Sequence, residues 1–162
     1  MSDEERLNRA LRFAAKKHKG QFRKGGDEYI THPMAVAEIV KNNGYGTDYQ
    51  IAALFHDLLE DTDASEEEIR EYGNEIILNA VKLLTKEKGY NMTDYIGRIR
   101  NNEMALVIKA ADRLHNLISA VEADEDFRRR YICETREWYM DFSPEIPEAM
   151  KRLEESLADK EE

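Results

Sequence analysis

The sequence is short of the residues that build disulfide scaffolds, tight-turn sheets and membrane spans. It holds a single cysteine, Cys133, in 162 residues, which excludes an internal disulfide and makes a reducing cytoplasm the expected setting. Only three prolines and eight glycines occur. Most of the remainder are good helix formers, so an all-α fold is expected. No run approaches the roughly 18 apolar residues that a membrane span needs. The start, Met1 to Arg6, is charged where a secretory signal would be apolar. Positive charge is scarce as well. A net charge of −10 argues against general binding to nucleic acid or to an anionic membrane surface. The glycines form neither a G-x-x-x-x-G-K-S/T nor a G-x-G-x-x-G pattern, so the usual phosphate-cradling loops are missing. The length suits one domain over residues 1–162 with a sizeable core.

What the chain does have is a dense group of ionisable residues in His56-Asp-Leu-Leu-Glu-Asp61, directly after the apolar run Ile51 to Phe55. Charged groups are costly to bury unless they are paired or bound to a metal. A continuous helix from about residue 48 to 61 would stack His56 over Glu60 and Asp57 over Asp61. His56 and Asp57 could then converge on one ion, with two carboxylates a turn away. This helix is apolar almost all round and is expected at the centre of the fold.

Helical periodicity places about eight more helices around it. The first, over 4–19, carries Leu7, Leu11, Ala14 and His18 on one stripe. His18 reads first as a hydrogen-bonded core histidine and second as a support for a nearby site. Tyr29-Ile-Thr-His-Pro33 opens the next, with Pro33 in its first turn and Thr31 as a cap. His32 would stand at the buried start of a core-facing helix. Ser65-Glu-Glu-Glu68 is a capping box whose helix stops at Gly73. Ile76, Ile77, Ala80, Val81 and Leu84 mark an amphipathic helix, and a short one follows near 93–100. Over 104–121 one stripe, Met104, Val107, Ala111, Leu114, Ile118 and Val121, is wholly apolar. Asp112 lies on the adjacent flank among alanines, where a carboxylate needs a partner. Two last helices carry Phe127, Tyr131, Glu134 and Trp138, then Ile146, Met150, Leu153 and Leu157. Trp138 and Tyr139 would suit a homodimer surface. The tail Asp159–Glu162 is expected to fray.

His32, His56, Asp57 and Asp112 together offer two imidazoles and two carboxylates. No thiolate is among them, which disfavours a structural zinc site. Mixed nitrogen and oxygen ligation suits Mn, Fe, Co, Ni or Zn with open positions for water. Such an ion polarises a phosphoryl oxygen and activates water. Glu60 and Asp61 could place that water or move protons. A phosphate substrate would need cations, and five Lys and Arg fall between Lys16 and Lys24. By itself that stretch reads as readily as a solvated basic loop.

Four motifs extend the pattern: Gly20-Gln-Phe-Arg-Lys24, Tyr29-Ile-Thr-His-Pro33, His56-Asp-Leu-Leu-Glu-Asp-Thr62 and Lys109-Ala-Ala-Asp-Arg-Leu-His-Asn116. Over residues 5–125 the sequence resembles the HD-domain metal-dependent phosphohydrolases. Within them it is similar to the hydrolase domain of RelA/SpoT-type enzymes and to stand-alone small alarmone hydrolases. The resemblance implies a compact helical bundle and a Mn²⁺ ion held by His32, His56, Asp57 and Asp112. It implies a catalytic acid pair in Glu60 and Asp61. Substrate contacts match Arg23, against guanine, with Lys24, Asn116 and Ser119. The implied reaction turns the small-molecule nucleotide ppGpp into GDP and pyrophosphate. The Met-Arg-Thr that often follows the last motif is Leu117-Ile118-Ser119 here. Two other functions remain open: hydrolysis of a different nucleotide by an HD phosphohydrolase, and a non-catalytic nucleotide-binding module. Glu60 and Asp61 count against the second, because binding alone needs no acid pair.

Overall fold

Local signals set most of the helix ends in the computed structural model, which describes residues 1–158; the expected fraying of Asp159–Glu162 lies outside the described residues. Ser2 accepts the Glu5 N–H and opens α1 (Asp3–Lys17). The capping box at Ser65 is formed on both sides and opens α5 (Glu66–Tyr72), which stops at Gly73. Asn74, Asn91 and Asp124 cap α6 (Glu75–Leu84), α7 (Met92–Arg100) and α9 (Glu125–Trp138). At Gly44 and Gly89 the chain needs a positive φ, +89° and +78°, which side chains rarely adopt. Among the described residues the fold is all-α, and the only β feature is an isolated bridge between Phe22 and Glu28.

The chain divides into two compact units, residues 1–108 and 109–162. In the first, α3 (Thr47–Phe55) packs against α1, α2 (Thr31–Asn42) and α6, the central place its sequence predicts. Ile51 to Phe55 are all buried on it. Burial of side chains such as Ile51 and Phe55 stabilises by about 1.5–3 kcal/mol each.

The expected continuous helix through His56 is broken. α3 ends at Phe55, and a separate four-residue turn, α4 (Leu58–Asp61), follows. The His56 side chain explains the break. Its Nδ1 lies 2.7 Å from the Ala53 carbonyl, the group that a continuing helix would give to the Asp57 N–H. Asp57 instead takes φ −102° and ψ 0°. The described residues therefore hold ten α-helical segments where nine or so are expected. Thr31 also departs from expectation. It lies inside α2, and its hydroxyl donates to the Glu28 carbonyl instead of capping the helix.

Helix α8 (Glu103–Ser119) begins in the first unit and ends in the second. A 3₁₀ turn, Ala120–Glu122, then α9 and α10 (Glu145–Ala158) complete the described chain. Three expected faces are displaced. On α6, Ile76 is exposed while Ile77 is buried. On α8 the buried side is Met104, Ala105, Ile108, Ala111, Asp112 and Leu117, and Ile118 is 54% exposed. On α9 the buried residues are Arg128, Ile132 and Thr135, with Phe127, Tyr131 and Trp138 half-buried. The last helix agrees: Ile146, Met150, Leu153 and Leu157 are buried. Tyr139 is fully buried, so it cannot serve a dimer surface. Its ring lies 5.0 Å from Phe142 and 4.0 Å from the Arg113 guanidinium.

Candidate metal centre and its supports

Three elements of the first unit meet at one point: the start of α2, the end of α3 and the start of α4. They bring together His32, His56 and Asp57, with one ligand atom from each lying within 4.8 Å of the others. His32 and His56 are only 2% and 4% exposed. Their rings meet edge to face with centroids 5.4 Å apart.

The donor set suits a cation. The Ala53 carbonyl can only accept, so His56 carries its proton on Nδ1 to make the 2.7 Å bond. Nε2 then presents a lone pair 3.1 Å from Asp57 Oδ2. Two acceptors that close call for positive charge between them, from a second proton or a metal ion. Two imidazoles and a carboxylate are common ligands of divalent transition metals. The break after Phe55 thus shapes the cluster: the His56 side chain bonds back to Ala53 through one nitrogen and turns the other toward Asp57.

Tyr29 holds this centre from outside, and its role was not legible in the sequence. Its hydroxyl donates to Asp57 Oδ2 at 2.6 Å, and its ring meets that of His32 at 5.9 Å. Its hydroxyl meets Asp57, 28 residues further on, a pairing that no local spacing announces.

Glu60 and Asp61 lie on α4, both exposed. Glu60 Oε1 accepts the Lys86 backbone N–H at 2.6 Å, and the Asp61 carbonyl accepts Gln21 Nε2 at 2.8 Å. Gln21 belongs to the basic connection between α1 and α2. This connection is a closed turn: the Arg23 N–H donates to the Asp27 carbonyl, and the Tyr29 N–H to that of Gln21. Arg23 is half-buried on it and Lys24 is exposed.

Asp112 belongs to the second unit and is 7% exposed. Lys109 Nζ donates to one carboxylate oxygen at 3.2 Å and Asn116 Nδ2 to the other at 3.3 Å. Beside it, the Arg113 guanidinium lies over the rings of Tyr131 and Tyr139, at 4.1 and 4.0 Å. It also donates to Glu134 and Thr135. Ser119, half-buried, is the last residue of α8.

Residues 10–143 match the family described as the HD domain. Curated relatives include a guanosine-3′,5′-bis(diphosphate) 3′-pyrophosphohydrolase of Aquifex aeolicus, 36% identical over 83% of this chain and 20% of the relative. The bifunctional (p)ppGpp synthase/hydrolase SpoT of Escherichia coli is 34% identical over 83% of this chain and 21% of its own length. The chain thus spans about a fifth of the length of these relatives. A solved structure of a metazoan ortholog of SpoT that hydrolyses ppGpp matches with a TM-score of 0.75 at 23% identity, over 96% of this chain and 95% of that one; it shares the fold. With His32, His56 and Asp57 gathered as they are, and with the match running from α1 to the end of α9, this chain belongs to the HD-domain family.

Proposed function

We propose that this protein is a metal-dependent phosphohydrolase that cleaves ppGpp to GDP and pyrophosphate. The observation that carries the reading is the convergence of His32, His56 and Asp57 at the turn that also bears Glu60 and Asp61. The similarity to curated ppGpp hydrolases supports the substrate. Asp112 is assigned as a further ligand on its motif and burial. Mn²⁺ is the proposed ion, and when bound it supplies Lewis acidity toward the phosphate and toward water. The whole chain, 1–162, is read as one HD phosphohydrolase domain, since the family match covers 10–143 and so includes parts of both units.

The chain's own residues divide the work. Tyr29 fixes one oxygen of Asp57, which keeps the carboxylate turned toward the histidines. Glu60 has Oε1 engaged by Lys86, and its Oε2 is the atom proposed to orient water or take a proton. Asp61 is its partner in proton transfer. Arg23 is proposed to pack on the guanine and Lys24 to offset phosphate charge. Asn116 and Ser119 are proposed substrate contacts. Ile118 stands where the related motif has arginine, so the substrate meets one cation fewer here.

No helix among the described residues is long and apolar enough to cross a membrane. A cytoplasmic site of action is proposed from the nucleotide substrate and the single cysteine. The deciding experiment incubates the pure protein with Mn²⁺ and a panel of nucleotides. Pyrophosphate release from ppGpp is expected. Turnover of another nucleotide in its place would move the substrate assignment, and no turnover at all would leave only nucleotide binding.

A further inference from the structure

His18 ends the buried stripe of α1 and is 2% exposed, yet no step above uses it. Its Nδ1 lies 2.8 Å from Gln21 Oε1. The other end of the same amide, Gln21 Nε2, donates to the Asp61 carbonyl at 2.8 Å. These two bonds fix the protonation of the ring. A carbonyl can only accept, so the Gln21 amide must turn its NH₂ to Asp61 and its oxygen to His18. His18 must then donate, with its proton on Nδ1. Burial, the largest influence, lowers the His18 pKa, so the ring is neutral. Its Nε2 is a buried acceptor with no hydrogen-bond partner among the described residues. A neutral ring suits this place, because a charged one would repel a cation held by His32, His56 and Asp57. The same ring lies 4.9 Å from that of Tyr29, whose hydroxyl reaches Asp57.

The turn that needs support is α4. It has only four residues, and Asp57 makes no side-chain cap. A single turn cannot hold its own geometry in water. Beyond Asp61 the backbone leaves the helix, with Thr62 extended at φ −134° and ψ 179°. Gln21 grips the turn at its last residue.

We propose that His18 is a positioning residue for hydrolysis: through Gln21 it fixes the Asp61 backbone, and through Tyr29 it braces the Asp57 carboxylate, so that acid and metal ligand keep a set separation. The inference rests on the functional reading above. Misplacing a reacting group by about 1 Å can cost roughly 100-fold in rate. With metal saturating, Gln21→Met and His18→Phe should each lower kcat on ppGpp about 10- to 100-fold and leave KM unchanged. Because both act through one chain of bonds, the double variant should be no slower than the slower single. His18→Asn carries an amide N–H near the place of Nδ1–H and should recover most of the loss.

A second measurement does not depend on turnover. Long-range proton–nitrogen NMR spectra of the metal-free protein should show His18 protonated on Nδ1 alone. Gln21→Met, which is partly exposed and leaves the core intact, should shift the Asp61 carbonyl carbon. If the wild type does not hydrolyse ppGpp, the functional reading falls while these two signals stand. A proton on Nε2 overturns the proposal, as does an Asp61 carbonyl that ignores Gln21→Met. So do losses that multiply in the double variant, or a change in KM in place of kcat.

Discussion

At the scale of single residues, the candidate site divides into groups that hold and groups that recognise. Arg23 is proposed to be of the second kind. It is half-buried on the closed turn between α1 and α2, with its backbone N–H tied to Asp27. A planar guanidinium on a braced backbone is well suited to lie against a base. If it holds the base equally in ground and transition states, Arg23→Ala should raise KM for ppGpp and leave kcat nearly unchanged. Steady-state kinetics would separate this from a fall in kcat, which would place Arg23 on the reacting phosphate. The holding residues were legible in unequal degree. The convergence of His32, His56 and Asp57 was legible in the sequence because metal ligation demands particular atoms, and those atoms come from few residue types. Tyr29 and Gln21 were not found. A hydroxyl or amide at that distance along the chain becomes a partner of Asp57 or Asp61 only through the path of the loop, and that path has no periodicity to read.

At the scale of elements, the ends of helices were the most legible feature and the break at His56 the least. Caps such as Ser65 with Glu68 act within three residues, so the sequence contains both partners. The break needs the imidazole to take a backbone carbonyl, a choice made by the buried surroundings and not by helix propensity. The displaced faces of α8 and α9 share one origin: periodicity locates a stripe, and packing decides which neighbouring stripe is covered. The connection after α6 shows how one element steadies another. The Lys86 N–H donates to Glu60, while the Lys86 ammonium lies 5.4 Å from each of the Tyr90 and Tyr95 ring centres. Lys86→Pro deletes that donor. Thr85 is already extended, at φ −87° and ψ 123°, a conformation that a following proline favours. Lys86→Ala keeps the N–H and removes only the side chain. With Glu60 in its proposed role, the expected result is a kcat at least ten-fold lower for Lys86→Pro than for Lys86→Ala, the order of magnitude that misplacing such a group costs. Thermal melting should show both variants folded. Equal rates in the two would mean that Glu60 does not depend on this support.

At the scale of the whole molecule, a chain of net charge −10 gathers buried imidazoles and a carboxylate where a cation is expected to bind. A ligand that binds only the folded state stabilises it by about 2.7 kcal/mol at a concentration 100 times its Kd. For a chain of this length each kcal/mol moves Tm by roughly 2–4 °C, so saturating Mn²⁺ should raise Tm by roughly 5–10 °C. Chelation should reverse the rise. His56→Ala removes a proposed ligand whose second nitrogen is already committed to Ala53, and should abolish the shift. Asp112→Ala should abolish or sharply reduce it, although Asp112 was assigned from its motif and burial and lies in the second unit. In the absence of metal the same substitution removes a carboxylate partner of Lys109, which is itself mostly buried beside Asp112, so a lower starting Tm is expected from that alone. The informative quantity is therefore the metal-induced difference within each variant, not the Tm of one variant against another. A wild-type shift retained in Asp112→Ala and lost in His56→Ala would limit the ligands to His32, His56 and Asp57, and would return Asp112 to a structural partner of Lys109 and Asn116.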